Sequence, residues 1–274
     1  MKIKTEDTDL YFINLTVDLA FKLVFGEAKN IELLKALLKD ITKLPIERLE
    51  GLGLKSEELH RDSIIDHKTI VDVRAILNDN TQIEIEMQVR NYHDMDKRSL
   101  YTWAKMYSSQ LNKNDPYIKL AKCICINITA FDFTKENSGH NKYAIKNIET
   151  NEAFTNDLEI HFIELPKRGK VDDMQIRKWM ALLASKTWEE MERNAEGDDI
   201  MKQVYNQAKN IAMNETQRIN VENREKFLID QNNLEYYARK EGKLEVAKKL
   251  AELGMPIEQI IEVTELSAEE IQKL

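Results

Sequence analysis

The residues best suited to chemistry lie on two neighbouring segments of alternating polarity. Residues 69–77 (TIVDVRAIL) and 82–89 (QIEIEMQV) alternate apolar and polar side chains, and the intervening residues 78–80 (NDN) favour a turn. This pattern predicts a β-hairpin with apolar side chains on one face and polar side chains on the other. The polar face carries Asp72, Arg74, Glu84, Glu86 and Gln88.

The two predicted strands can pair in two registers. Apolar positions must face apolar positions, so the numbers of paired residues must have an even sum. A turn centred on Asp79 pairs Asp72 with Glu86, whereas a turn centred on residue 80 pairs Asp72 with Gln88. In either register, two carboxylates and an amide meet on one patch of the sheet.

This patch concentrates negative charge. Carboxylates that face each other across about 5 Å of sheet repel unless a cation joins them. Mg²⁺ suits such a pair because it binds one or two carboxylates and keeps several waters. A bound Mg²⁺ lowers the pKa of a coordinated water and neutralises charge on a phosphate. A solvent-exposed hairpin face would carry the same residue types, so the pattern alone leaves both interpretations open.

The composition is that of a folded protein rather than a disordered or fibrous one. Of 274 residues, 42% are apolar and 32% are charged, with only 8 Gly and 4 Pro. Two closely spaced cysteines, Cys123 and Cys125, exclude a disulfide framework and a zinc quartet of the usual spacing. Because the sequence shows neither an apolar signal segment nor a long apolar run, we expect a cytoplasmic protein without a membrane span.

Charge is distributed unevenly along the chain. The formal net charge is −8, yet residues 97–146 contain nine cations and only three anions. Such a basic zone within an acidic protein is typical of a local nucleic-acid site, although a solvated helix face has the same composition. Three of its residues are the expected contacts to a DNA backbone: Arg98, Lys105 and Lys113.

The periodicity of the chain predicts the elements that position these residues. Helical spacing covers residues 15–42 with a break at Gly26, residues 94–111, and most of the chain from residue 172. Besides the hairpin, strands are predicted at 122–133 and 158–165. We therefore divide the chain into a core at residues 1–170, a helical extension at 171–250, and a short tail at 251–274 that resembles a helix-turn-helix but carries six Glu and one Lys.

Taken in this order, several segments resemble the PD-(D/E)XK nuclease superfamily. More specifically, the chain is similar to the recombination-promoting nuclease/putative transposase (Rpn) family over nearly its whole length. No single segment identifies the family, but the segments in this order do. The segments are residues 18–26 (DLAFKLVFG), 70–74 (IVDVR), 83–88 (IEIEMQ), 98–101 (RSLY), 162–167 (FIELPK) and 241–251 (EGKLEVAKKLA).

The resemblance implies an α/β fold with a restriction-endonuclease-like core, in which helices flank a mixed β-sheet, and an α-helical C-terminal extension. Asp72 and Glu86 would then bind Mg²⁺, or Mn²⁺ in its place. Gln88 stands where such nucleases usually have lysine, and would orient the attacking water. Asp18 matches an additional acid of the metal shell, although the charge of a helix N-terminus explains it equally well.

Two further residues of the motifs, Glu84 and Tyr101, are expected to support the site. For Tyr101, a buried position with a satisfied hydroxyl is the stronger expectation. Glu164 and Lys167 lie in another motif, where a supporting role in catalysis and a structural ion pair are equally compatible with the sequence.

The function implied by the resemblance is that of a Mg²⁺-dependent deoxyribonuclease, an endonuclease that hydrolyses phosphodiester bonds. DNA would be its partner, and we expect a homodimer because nucleases of this architecture often cut both strands as dimers. The alternative is a catalytically weak or inactive protein of nuclease fold that acts as a DNA-binding module or as a phage-defence or toxin-like effector.

Overall fold

The computed structural model describes residues 10–46, 49–52, 73–77 and 79–273, with the side chains of residues 50–52 left out. The described helices are α1 (Asp18–Phe25), α2 (Ile31–Thr42), α3 (Met95–Ser108), α4 (Met174–Leu183), α5 (Trp188–Ala195), α6 (Asp199–Met213), α7 (Glu215–Glu252), α8 (Ile257–Thr264) and α9 (Ala268–Ile271). The described strands are β1 (Leu49–Leu52), β2 (Val73–Leu77), β3 (Gln82–Gln88), β4 (Cys123–Thr129), β5 (His140–Tyr143) and β6 (Leu158–Glu164).

These strands form one mixed sheet in the order β1-β2-β3-β4-β6-β5. Neighbouring strands are antiparallel from β1 to β3, parallel from β3 through β4 to β6, and antiparallel again between β6 and the edge strand β5. The predicted mixed sheet flanked by helices is therefore confirmed. The strand predicted at 122–133 ends at Thr129, and the two short edge strands β1 and β5 were not predicted.

The central strands β3 and β4 are buried on both faces, but the two faces differ chemically. On one face, Ile83 and Ile85 are fully buried and belong to the side of the sheet that contacts α1. On the other face, Glu84 and Glu86 pair with Cys125 and Asn127 of β4. The alternation of the sequence thus separates an apolar layer from a layer that mixes charged and small side chains.

Helix α1 is buried along nearly its whole length. The ring centroids of Phe21 and Phe25 lie 4.7 Å apart, and the Phe25 ring lies 6.1 Å from that of Trp179 on α4. The helix ends at Gly26, as predicted, where a Cβ atom would lie only 2.8 Å from the carbonyl oxygen of Lys22. Helices α4 and α6 contact α1 and α2, so the apolar side of the sheet is covered by two layers of helices.

Helix α3 covers the other face of the sheet. Met95 and Met106 pack against an apolar cluster that includes Cys123 and Cys125. The Trp103 ring stacks on that of Tyr107 at 4.8 Å, and its Nε1 donates a hydrogen bond to the Cys123 carbonyl oxygen at 3.1 Å. Both cysteines are free and buried, and burial raises the pKa of the Cys123 thiol to about 12, so they serve as small core residues.

The chain divides into two compact units, Met1–Val221 and Glu222–Leu274. In the second unit, Ala247, Ile260, Leu266 and Ile271 form a small apolar cluster. Ser267 and Glu270 form a capping box at the start of α9. The predicted boundaries at residues 170 and 250 stay a prediction. Among the described residues, no helix combines the length and the apolar character that crossing a membrane requires.

A chain of polar contacts runs along the α1 side of the sheet between β5 and β6. His140 Nε2 lies 3.0 Å from His161 Nδ1, and His161 Nε2 lies 3.4 Å from the Glu159 carboxylate. Glu159 in turn is ion-paired with Lys122 at 2.8 Å and with Lys142 at 2.6 Å. Two cations of the basic zone are therefore paired with the same acid of the fold. Burial, together with repulsion from His161, lowers the pKa of His140 to about 4.

This depressed pKa predicts a pH-dependent stability. Between pH 6.5 and 5, the unfolded chain binds a proton at residue 140 that the folded protein excludes, so the free energy of unfolding falls as the pH falls. The contribution of this one group reaches at most about 1.4 kcal/mol per pH unit. Urea denaturation at several pH values should show this slope in the wild type and a reduced slope in His140→Gln.

The exposed His93 provides the matched control, because His93→Asn should keep the slope of the wild type. His93 has a φ of 61°, a conformation that Asn tolerates. Equal slopes in His140→Gln and the wild type would show that His140 does not titrate with a depressed pKa.

Candidate active site

Strands β2 and β3 pair in the register centred on Asp79. Val73 pairs with Ile85 and Arg74 pairs with Glu84, as one of the two predicted registers requires. Asp72 lies outside the described residues. Its position opposite Glu86 and its role as a metal ligand therefore stay predictions, whereas the register of the strand that would carry it is confirmed from residue 73 onward.

Each of the two acids on β3 is paired with an arginine. Arg74 Nε lies 2.6 Å from Glu84 Oε2, and Arg98 Nη2 of α3 lies 3.1 Å from Glu86 Oε2. Both glutamates are buried, with 3% of Glu84 and 7% of Glu86 exposed, whereas both arginines reach solvent. Guanidinium groups thus offset the repulsion between the Glu84 and Glu86 carboxylates.

The environment of Glu84 disfavours its charged form. Burial raises the pKa of Glu84, and the neighbouring Glu86 carboxylate adds to the increase, although Arg74 opposes it. Burial also raises the pKa of the Cys125 thiol, and the charges of Glu84 and Glu86 add to that increase. Glu84, Glu86 and Cys125 therefore share one poorly hydrated patch beneath α3.

Gln88 lies at the carboxyl end of β3. Its side chain is half-buried, and in the sheet it pairs with Thr129, which in turn pairs with Glu164. Glu86 and Gln88 point to the same face, with Cα atoms about 6.6 Å apart for two steps along a strand. The amide of Gln88 can both donate and accept a hydrogen bond beside the Glu86 carboxylate.

The described oxygen atoms suit a hard divalent cation. Glu86 supplies a carboxylate and Gln88 an amide oxygen, and Mg²⁺ commonly takes only one or two carboxylates while it keeps several waters. Within the described ranges, no three His, Cys, Asp or Glu side chains form a group that could hold a metal ion. The donor set fits Mg²⁺ when the predicted contribution of Asp72 is included.

Asp18 is the first residue of α1. Its Oδ1 accepts a hydrogen bond from the backbone N–H of Leu19 at 2.8 Å. This contact supports the interpretation as a charge that stabilises a helix N-terminus. The role of Asp18 in a metal shell stays a prediction.

The expected burial of Tyr101 is wrong, because 68% of this side chain is exposed. The buried stripe of α3 runs through Met95, Ser99 and Met106, and Tyr101 is rotated about 200° from Ser99 around the helix. Lys105, on α3, and Lys113, which follows it, are exposed, so both are accessible for the predicted backbone contacts. Arg98 is instead engaged with Glu86, an interaction between two elements that the sequence did not predict.

Glu164 and Lys167 form a buried ion pair with a structural role. Glu164 is fully buried, and it accepts hydrogen bonds from the backbone N–H of Phe133 at 2.7 Å and of Thr134 at 3.1 Å. Lys167 Nζ lies 2.7 Å from Glu164 and also donates to the carbonyl oxygens of Thr134 and Glu136. The pair therefore fastens the segment that follows β4 to the end of β6.

These contacts outweigh the cost of burial. Burial alone would raise the pKa of Glu164, but Lys167 and the hydrogen bonds from Thr134 and Phe133 hold it below its ordinary value. The contacts favour the structural interpretation of this motif over a direct role in catalysis. The motif was visible in the sequence, whereas the partners that decide its role come from a segment about 30 residues earlier.

A protein-family model matches most of the chain. The family model described as PD-(D/E)XK nuclease family transposase matches residues 15–238. The matched range includes the whole sheet and every residue of the site described above. No curated protein matches the chain, and no solved structure matches it.

The buried ion pair generates a prediction about stability. Glu164→Gln should lower the free energy of unfolding by about 3 kcal/mol at pH 7, because it leaves the Lys167 ammonium buried without a countercharge. Urea denaturation followed by circular dichroism measures this loss, and the exposed Glu149→Gln serves as the control. A loss below about 1 kcal/mol would contradict a structural role for the pair.

The pH dependence provides a second readout of the same pair. Because the folded-state pKa of Glu164 is lowered, its stabilisation is complete above the unfolded-state pKa of about 4.3. It is lost as the pH falls from that value through the folded-state pKa. The difference in stability between the wild type and Glu164→Gln should therefore shrink below about pH 4.

Proposed function

The chain belongs to the PD-(D/E)XK nuclease family transposases, and on this premise we propose that it is a metal-dependent DNA endonuclease of the recombination-promoting type. The observation that carries the proposal is the buried Glu86 carboxylate, which lies two positions from Gln88 and 3.1 Å from Arg98. An acid, a half-buried amide and a cation brought together at one strand are part of what metal-dependent phosphodiester hydrolysis uses.

Nucleases of this family generally use divalent metals, and Mg²⁺, with Mn²⁺ as a substitute, is the proposed cofactor. Glu86 would hold it together with Asp72, and Asp18 is a proposed additional ligand. When bound, Mg²⁺ supplies a coordinated water of lowered pKa and neutralises negative charge on the phosphate.

In most such nucleases, one lysine both orients the attacking water and supplies positive charge. Here Gln88 is proposed to orient the water and Arg98 to supply the charge. The Gln88 amide is proposed to accept a hydrogen bond from the attacking water and so to orient it. It adds no positive charge, whereas the Arg98 guanidinium lies beside Glu86 and is 27% exposed. We expect Arg98 to turn from Glu86 towards the scissile phosphate when DNA binds. Glu84 supports the site by holding Arg74 at its rim.

Exposed lysines extend the site towards a DNA backbone. Lys105 and Lys113 make no ion pair within the described part of the chain, so their charges are accessible to phosphates. Contacts of this kind position a nuclease on DNA without reading its sequence.

The proposal includes a cytoplasmic homodimer. Helix α7 is 38 residues long and exposes apolar side chains that support self-association: Ile229, Leu234, Tyr236 and Tyr237. Two free, buried cysteines are typical of a reducing compartment.

A second candidate function is a nuclease-fold protein that binds DNA but cuts it weakly or not at all, as a binding module or a phage-defence or toxin-like effector. Gln88 in the usual lysine position favours it, and so does the engagement of Glu86 by Arg98. DNA cleavage therefore decides between the two candidates.

Cleavage of supercoiled plasmid tests the proposed function. The wild type should nick the plasmid with Mg²⁺ or Mn²⁺ but not with EDTA, and Asp72→Asn and Glu86→Gln should each lose at least about 100-fold in rate. The control Glu152→Gln changes an exposed acid far along the sequence and should cut like the wild type. Absence of cutting with every divalent metal, while DNA binding persists, would favour the second candidate.

The role of Gln88 can be separated from that of the metal ligands. Gln88→Leu removes the hydrogen-bonding groups at similar size, and we expect kcat to fall about 100-fold with little change in KM. Gln88→Lys should keep or raise kcat, because lysine adds a positive charge beside the reacting phosphate. Equal activity of Gln88→Leu and the wild type would show that Gln88 does not orient the water.

A further inference from the structure

Helix α3 exposes an aromatic ring between two lysines. Tyr101 is 68% exposed, and Lys97 and Lys105 lie one turn before and one turn after it, both on the exposed side of the helix. The apolar Leu100 beside Tyr101 is 53% exposed as well. Large apolar side chains exposed together mark a binding surface more often than isolated ones do.

The exposure of Tyr101 contrasts with the other aromatic residues of the same helix. Trp103 and Tyr107 stack on each other, and each has a hydrogen-bond partner in the fold: the Cys123 carbonyl oxygen for Trp103 and the Asp157 carboxylate for Tyr107. The packing of α3 on the sheet is thus complete without Tyr101. Its ring is available to a ligand.

A stripe along the exposed side of α3 consists of four residues: Lys97, Arg98, Tyr101 and Lys105. This stripe begins at the proposed active site. In steps of about 100° per residue, Arg98, Lys105, Tyr101 and Lys97 follow one another across an arc of about 100° of the helix surface. Arg98, at one border of the arc, is the residue that contacts Glu86. Tyr101 lies only about 4.5 Å along the helix axis from Arg98. A strand held at Glu86 would continue onto this surface.

The lysines of the stripe differ from other cations of the basic zone, which are paired with acidic side chains of the fold. Lys119 is paired with Asp115, and Lys122 and Lys142 are paired with Glu159. In the described portion of the chain, neither Lys97 nor Lys105 makes an ion pair. Positive charge that can attract phosphates therefore remains on both sides of the Tyr101 ring.

We propose that Lys97, Tyr101 and Lys105 bind an unpaired segment of a DNA strand, with a base stacked on Tyr101 and phosphates held by the two lysines. An aromatic ring between cations matches the alternation of base and phosphate in a single strand. In a duplex, the base faces are covered by their neighbours, so the ring has no base to stack on. The lysine Cα atoms lie about 12 Å apart along the axis, far enough to reach phosphates on both sides of a base that stacks on Tyr101.

This inference rests on the proposed nuclease function and names its substrate class. Tyr101 lies about one turn from Arg98, so the unpaired nucleotides would lie next to the scissile phosphate. The preferred substrate is then DNA with a single-stranded segment, a frayed end or a flap rather than an intact duplex.

Binding in EDTA tests the inference without any need for cleavage. A short single-stranded oligonucleotide that contains 2-aminopurine reports affinity by anisotropy and reports stacking by quenching of its fluorescence. We expect Tyr101→Ala to weaken single-strand binding about 5- to 150-fold and to abolish the quenching. Tyr101→Phe should restore both within about twofold, because the ring rather than the hydroxyl stacks on the base.

Three comparisons make the test specific. Tyr117 lies outside α3, and 83% of its side chain is exposed. Tyr117→Ala therefore removes another exposed tyrosine and should leave single-strand affinity unchanged. Binding of an intact duplex should differ little between Tyr101→Ala and the wild type. The double variant of Lys97→Gln and Lys105→Gln should lower the salt dependence of single-strand binding by about two phosphate contacts.

The outcomes separate this inference from the nuclease proposal. Quenching by the wild type that disappears in Tyr101→Ala supports the stacking surface, even if the plasmid assay shows no cleavage. Unchanged single-strand affinity in a folded Tyr101→Ala variant overturns it, even if cleavage depends on Glu86. Conversion of a dimer to a monomer by Tyr101→Ala, measured by sedimentation with single-strand affinity intact, would identify the stripe as a subunit interface and also overturn the inference.

Discussion

Glu86 lies on a strand that is covered on both faces, so its charge has to be balanced within the fold. An isolated carboxylate in such a place would cost several kcal/mol. The balance comes from Arg98 at 3.1 Å, and this ion pair connects the sheet to α3. The position of α3 then fixes which of its residues face solvent. The contact between Glu86 and Arg98 therefore links the acid of the candidate site to the surface that surrounds it, and the packing of Met95 and Met106 holds the helix in place.

The local features of this arrangement could be predicted from the sequence. Alternating polarity was sufficient for the hairpin and narrowed its pairing to two registers, one of which is observed, and the apolar run at 122–133 predicted a strand. The break at Gly26 followed from the loss of helical spacing. Each of these features depends on residues that are close together along the chain, where period and turn chemistry act directly.

Contacts between elements could not be predicted in the same way. Whether Arg98 reaches Glu86 depends on how α3 is rotated against the sheet, and one sequence does not determine that rotation. The same rotation explains the error for Tyr101, whose residue type suggested burial while Met95 and Met106 already filled the interface. A net charge summed over residues 97–146 likewise hid the difference between lysines neutralised by Glu159 and those that stay exposed.

The strand order has a consequence for when the site can form during synthesis. β4 is buried between two parallel neighbours, β3 and β6, and the second of these ends only at Glu164. A nascent chain that stops before β6 leaves β4 as an open edge, and pairing over such a sequence distance is slow. The sheet that buries Glu86 is complete only after β6 has left the ribosome. The candidate site therefore folds late in synthesis, when most of the first unit has already been made.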